Sequence, residues 1–135
     1  MTTVVVDTSA AVAILTDEPP ADGLARALAG ATRAVMSAAT LVEFGIVLEA
    51  RFGPAGSGIV ERFLRDAAIE IVSLDRDHAD RALEGWRRYG RGRHRAKLNL
   101  GDCFTYALAV ATDAPVLCVG DDFAATDVAV IPTQG

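Results

Sequence analysis

Apolar and polar residues along this chain alternate between two periods, and the alternation predicts a succession of strands and helices. Val4-Val5-Val6 is an unbroken β-branched run that stops at Asp7. Such a run suits a strand buried on both faces, the habit of parallel sheets in α/β folds. Ala10-Ala11-Val12-Ala13-Ile14-Leu15 follows as a helix, so Asp7 falls where a strand hands over to a helix. Thr16-Asp17-Glu18-Pro19-Pro20 ends that helix, because two prolines cannot continue it. Ala21 to Ala29 is predicted as a short helix and Arg33 to Ser37 as a second strand. Ala38 to Phe52 reads as a third helix, with Leu41, Val42, Phe44, Ile46, Val47, Leu48 and Phe52 covering more than half its circumference. A helix that apolar is expected to be largely buried.

Gly53 to Gly58 is a loop by composition, and Ile59 to Ala68 returns to helical spacing. Ile69 to Leu74 is predicted as a third strand. Asp75 is a good N-cap for a polar helix reaching Tyr89, whose expected buried side is Ala79, Ala82, Leu83 and Trp86. A loop from Gly90 to Arg95 precedes a helix from Asn99 or Leu100 to Thr112. Pro115 to Val119 is predicted as another strand and Val128 to Ile131 as a short last one. Alternating strands and helices over the whole length give an α/β fold: a three-layer α/β/α arrangement around a mostly parallel sheet. At 135 residues the chain is expected to be one domain, 1–135, able to bury a core without metal or disulfide staples. Cys103 and Cys118 are expected to be small core residues, since they form no metal-type or redox pair. No apolar run approaches a membrane span and the N-terminus has no secretory pattern, so a cytoplasmic location is the expectation.

Charge changes the picture in one place. The net charge of −5, from 18 acids and 13 bases, argues against a generic nucleic-acid coat. Yet between Glu84 and Asp102 there is no acid, while Arg87, Arg88, Arg91, Arg93, Arg95 and Lys97 crowd the interval. The molecule is acidic with one basic strip.

Several acids stand where acids are unusual. Asp7 closes a buried strand, at the carboxyl edge where α/β sheets bind ligands. Glu43 has Ala39, Thr40, Ile46 and Val47 as its helical neighbours, an apolar setting for a carboxylate. Asp102 lies in the first turn of a mostly apolar helix, and Gly120-Asp121-Asp122-Phe123 follows another strand. Each has an ordinary structural role available: a helix cap for Asp7, a solvated helix edge for Glu43, a capping box with Asn99 for Asp102, a turn for Gly-Asp. Together they describe a pocket of carboxylates, which repel one another unless a cation neutralises them. Oxygen-only donors suit Mg²⁺ or Mn²⁺ and not zinc.

These residues resemble the PIN-domain ribonuclease family, specifically VapC-type toxins of bacterial toxin–antitoxin pairs. The likeness covers nearly the whole chain. It rests on Val-Val-Asp7-Thr8-Ser9-Ala10, on Glu43, on Gly101-Asp102-Cys103-Phe104, and on Leu117 to Phe123 ending in Gly-Asp-Asp-Phe. It implies an endoribonuclease dependent on Mg²⁺ or Mn²⁺ that leaves a 3′-hydroxyl and a 5′-phosphate. It also implies a homodimer, neutralised by a cognate VapB-type antitoxin. By that likeness Asp7, Glu43 and Asp102 are metal-site acids, with Thr8 or Ser9 ordering a ligand or water. The fourth acid is Asp121 or Asp122, with Asp121 favoured as first after the strand and glycine and Asp127 as a third choice. Arg91, Arg93, Arg95 and Lys97, just before the helix of Asp102, are the candidate RNA-binding residues. Two other classes compete. A phosphoaspartyl phosphatase or receiver also places an aspartate after its first strand, but the phosphatase pattern wants an acid where Ser9 stands, and both want a well-placed lysine. A non-catalytic RNA- or protein-binding module would have little use for the retained acids.

Overall fold

The computed structural model describes residues 2–133. Four strands form a parallel sheet in the order β3-β2-β1-β4: β1 (Thr3–Val6), β2 (Arg33–Ser37), β3 (Ile69–Val72) and β4 (Val116–Leu117). Val5 of the central β1 faces Val35 on one side and Val116 on the other. Six α-helices surround the sheet: α1 (Thr8–Leu15), α2 (Ala21–Gly30), α3 (Ala38–Phe52), α4 (Ala55–Asp66), α5 (Arg76–Tyr89) and α6 (Leu100–Thr112).

The triple valine divides its side chains as the strand period demands. Val4 and Val6 join Met36, Leu24, Phe44, Leu48 and Phe63 in a core under α1 to α4. Val5 joins Val35, Val116, Tyr106 and Leu108 in a second core under α5 and α6. The sheet is therefore covered on both faces, as its unbroken apolar strands require, and the expected three-layer α/β/α architecture is the observed one. Among the described residues no helix is long and apolar enough to cross a membrane. Cys103 and Cys118 are buried free thiols.

Four local expectations fail, each for a physical reason. The glycine-rich stretch from Gly53 is a turn of only two residues, after which α4 begins at Ala55. Its glycine is needed there: a Cβ on Gly56 would lie 2.6 Å from the backbone carbonyl carbon of Leu48, where α4 crosses α3. Helix α3 is not largely buried; Thr40, Phe44 and Leu48 point inward while Val42 and Ile46 are 62% and 64% exposed. Helix α5 buries His78, Ala82, Gly85 and Tyr89, with Ala79, Leu83 and Trp86 left exposed. Gly85 sets that rotation, because it lets the Tyr106 ring lie against the α5 backbone. The stretch from Val128 to Ile131 adds one parallel bridge, Val116 to Val130, and not a strand.

Candidate functional site

The carboxyl ends of β1 and β4 and the first turns of α1 and α6 meet at one place. Asp7 is buried there, immediately after β1. Its backbone N–H donates to Leu117 O at 3.0 Å, which extends the β1–β4 pairing by one bond and fixes where the side chain leaves the sheet. Asp7 is the N-cap of α1, its Oδ2 accepting from Ser9 N at 3.1 Å and from Ser9 Oγ at 2.7 Å. Its Oδ1 accepts from Thr105 Oγ1 of α6 at 2.6 Å. Capping and a place in the acid cluster are thus two roles of one residue.

Glu43 reaches the same place from α3. Thr8 Oγ1 donates to Glu43 Oε1 at 2.6 Å, and the carboxylate passes over α6 where Gly101 has no side chain. A Cβ on Gly101 would stand 2.1 Å from Glu43 Oε2. Asp102 follows directly on α6. It forms a complete capping box with Asn99: Asn99 N donates to Asp102 Oδ2 at 3.1 Å, and Asp102 N to Asn99 Oδ1 at 2.8 Å.

The electrostatics bind the acids into one group. Burial pushes the Asp102 carboxyl up from 3.8 to about 6, against the Asn99 backbone bond, and the negative charges of Asp7, Asp122 and Glu43 push it the same way. Every charge acting on Asp102 is an acid. Cys118, at the end of β4, is raised to about 12 by burial and then by Asp7, Asp102, Asp122 and Asp121, so its thiol stays protonated and unreactive. Of the adjacent pair after β4, both act on Cys118, and Asp122 acts on Asp102 as well. Both are exposed, on a turn in which Gly120 has φ +94°. Asp127 is engaged elsewhere, with Arg88 at 3.3 Å and Tyr106 Oη at 2.9 Å.

Thr8 and Ser9 order the acids themselves. Thr8 holds Glu43. Ser9 holds Asp7 and accepts from Val119 N at 3.0 Å, tethering the turn that carries Asp121 and Asp122. Sequence reasoning passed over Thr40 and Thr105 as site residues and took Gly101 only as part of a motif. The threonines were detectable as the polar breaks in two apolar helices, each one turn from a site acid.

The basic strip divides in two. Arg87 pairs with Glu84, Arg88 with Asp127, and Arg93 donates to Arg87 O at 3.1 Å with its guanidinium 4.6 Å from the Trp86 ring centre. Arg91, Arg95 and Lys97 are exposed and make no ion pair or hydrogen bond through their side chains among the described residues.

The donor set at the sheet edge fits a hard divalent cation: all oxygen, partly buried, and with a carboxyl whose ionisation is made unfavourable for want of positive charge. Asp7, Glu43 and Asp102 nonetheless stand too far apart to meet a 4.8 Å mutual spacing of ligand atoms. Among the described residues that spacing is met by Asp75, Asp77 and His78, where Asp75 caps α5 and Asp77 pairs with Arg81 at 2.8 Å. The two carboxylates already have partners, although His78 Nδ1 is buried without one, and the positive end of a helix dipole repels a cation.

The comparisons with known proteins agree with this geometry. The PIN domain model matches residues 4–129. A Mycolicibacterium smegmatis protein named ribonuclease VapC is 50% identical over 127 residues, 94% of this chain and 98% of its own. Mycobacterium tuberculosis VapC20, described as a sarcin-ricin loop cleaving toxin, superposes with a TM-score of 0.75 at 18% identity, covering 95% of this chain and 98% of that one. A toxin–antitoxin complex from Klebsiella pneumoniae gives 0.70 at 18% identity, covering 96% and 97%. At such identities the two structures speak for the fold alone. The match from residue 4 to 129, with half of all aligned positions shared with a relative aligned over nearly its whole length, makes this chain a member of the PIN-domain family.

Proposed function

We propose that this protein is a metal-dependent endoribonuclease of the VapC toxin type, hydrolysing RNA phosphodiester bonds in the cytoplasm and neutralised by a cognate VapB-type antitoxin. The observation that carries the reading is the gathering of Asp7, Glu43 and Asp102 at one sheet edge, with Asp7 held by Ser9 and Thr105, Glu43 by Thr8, and only acids among the charges acting on Asp102. Such a group has a use when a cation completes it. The name of the 50% identical relative supports the substrate class.

Asp7, Glu43 and Asp102 would hold Mg²⁺ or Mn²⁺, with Asp122 the better-supported fourth acid and Asp121 the alternative. When bound, the ion supplies a Lewis acid for a phosphate oxygen and a lowered pKa for water. The chain supplies the rest. Ser9 and Thr105 hold Asp7 in one orientation, and Thr8 does the same for Glu43. The tether from Ser9 to Val119 keeps the fourth acid beside them. A bound cation would offset the burial and the neighbouring acids that make Asp102 costly to ionise. Arg91, Arg95 and Lys97 offer free cations to the RNA backbone, while Arg93 shapes the loop against Trp86. Asp7 is poorly suited to nucleophilic attack, with three hydrogen bonds already on its carboxylate. This disfavours the phosphoaspartyl alternative.

The protein is proposed to act as a homodimer. Leu100, 73% exposed, and Phe104 form a ridge between two apolar grooves of about 540 and 420 Å³. A ridge beside a groove is self-complementary about a two-fold axis, which favours a second copy of this chain as the occupant.

The test is cleavage of structured RNA by the purified protein with Mg²⁺, Mn²⁺ or EDTA. Activity is expected with either metal and is lost in EDTA and in Asp7→Asn and Asp102→Asn. Cleavage that persists in EDTA, or is unchanged in both variants, refutes the proposal.

A further inference from the structure

A chain of two buried hydroxyls lies beneath the acids. Thr105 Oγ1 donates to Asp7 Oδ1 at 2.6 Å, and Thr40 Oγ1 lies 3.4 Å from Thr105 Oγ1. Their relative exposures are 1% and 0%. A threonine has one hydroxyl proton. Thr105 spends its proton on Asp7, so in the contact between the two hydroxyls Thr40 is the donor. The order is Thr40 to Thr105 to Asp7.

A threonine inside a helix commonly returns its proton to the carbonyl four residues back. Thr112 of the same helix does this, donating to Leu108 O at 2.7 Å. Thr105 forgoes that local bond for one that crosses from α6 to the end of β1. The placement is also specific. Thr40 lies one turn before Glu43 on α3, and Thr105 one turn after Asp102 on α6. The relay therefore joins the three elements that carry the three acids.

The bookkeeping of Asp7 gives the relay a purpose. A carboxylate offers about four lone-pair positions. On Oδ2 two are taken, by Ser9 N and Ser9 Oγ; on Oδ1 one is taken, by Thr105. One position is left, on Oδ1. We propose that Thr105, backed by Thr40, is a positioning residue that fixes the Asp7 carboxylate so that this single lone pair is presented to the cation. The proposal rests on the metal-dependent reading above and deepens it: the deepest part of the metal site is set by hydroxyls on two other helices.

Thr105→Val removes the hydroxyl and keeps the shape, whereas Thr105→Ser keeps the hydroxyl. Mn²⁺ affinity of the metal-free protein, read from the signal of free Mn²⁺ in electron paramagnetic resonance, is expected to fall by about 10- to 100-fold in Thr105→Val. The serine variant is expected to restore it to within about threefold, a rescue that lost packing alone does not produce. If Thr105→Val is too unstable to titrate, Thr105→Ala, which also lacks the hydroxyl, is read in its place. Asp7→Asn separates the two ideas. If Asp7→Asn loses Mn²⁺ binding while Thr105→Val keeps wild-type affinity, the positioning role is overturned and the metal site stands. If Asp7→Asn binds Mn²⁺ as wild type does, the metal reading falls first and takes the relay with it.

Discussion

Replacing Asp102 by Asn should make the metal-free protein more stable at neutral pH, although it removes a residue from the proposed active site. The native carboxyl titrates at about 6 and its ordinary value is 3.8. At 1.36 kcal/mol per tenfold change in proton affinity, that gap amounts to roughly 3 kcal/mol of unfavourable ionisation in the folded state. Asp102 is partly open to solvent, and screening reduces the figure to about 1–2 kcal/mol. The sign follows from linkage. Between the two values the folded protein binds more protons than the unfolded chain, so stability falls as pH rises from about 4 to about 6 and stays reduced above. Asparagine does not ionise, yet it keeps an oxygen to accept the Asn99 N–H that closes the capping box.

The assay is thermal unfolding in EDTA across pH. At pH 7.5 Asp102→Asn should melt about 3–8 °C above wild type for a domain of this size, and near pH 4 the two should coincide. Adding Mn²⁺ should reverse the order at pH 7.5, because only the wild type gains the stabilisation of a bound ligand, about 2.7 kcal/mol at a hundredfold excess over Kd. A variant that melts at or below wild type at pH 7.5 in EDTA refutes the reasoning. So does a gain that persists unchanged at pH 4.

Further outcomes follow from the same geometry. Gly101→Ala places a Cβ 2.1 Å from Glu43 Oε2, so it should displace that carboxylate and weaken Mn²⁺ binding in titration. The side chain can move, so the stability cost should stay near 1 kcal/mol. Gly56→Ala meets the Leu48 backbone instead, which cannot move, and should cost about 1–3 kcal/mol or more in denaturant unfolding. Removing the charges of Arg91, Arg95 and Lys97 one at a time should each lower the salt slope of RNA binding by about 0.7–0.9. Arg93→Ala should also loosen the loop packed on Trp86, which protease sensitivity would report.

Much of this was legible in the residues. Three valines ending in an acid marked β1 and the site edge, because a two-faced strand and a strand-end carboxylate are both local signals. The caps at Asp7, Asp75 and Asn99 were equally local. The relay from Thr40 to Asp7 was not, since it joins residues far apart in sequence whose only mark is a hydroxyl in an apolar helix. The start of α4 was lost for a related reason. Glycine is a poor helix former, and only the crossing with α3 explains why Gly56 has to be one.

Four of the remaining errors share a place and a cause. Val42 and Ile46 on α3 and Leu83 and Trp86 on α5 were all expected inside, and all are exposed, at 62%, 64%, 45% and 42%. Each lines one of the two grooves flanking the Leu100–Phe104 ridge. An apolar position selected for burial against a second chain carries the same pattern as one buried in the chain's own core, so pattern reading merges the two. A face of this extent, with Glu43 as its one charged lining residue, is what a second copy would cover. Ile46→Asp places a charge in that face without touching the core. Sedimentation velocity should show wild type as a dimer and the variant as a monomer with an unchanged far-UV spectrum. If the variant stays dimeric, or wild type is a monomer at micromolar concentration, the face has another partner and the four exposed side chains need a different explanation.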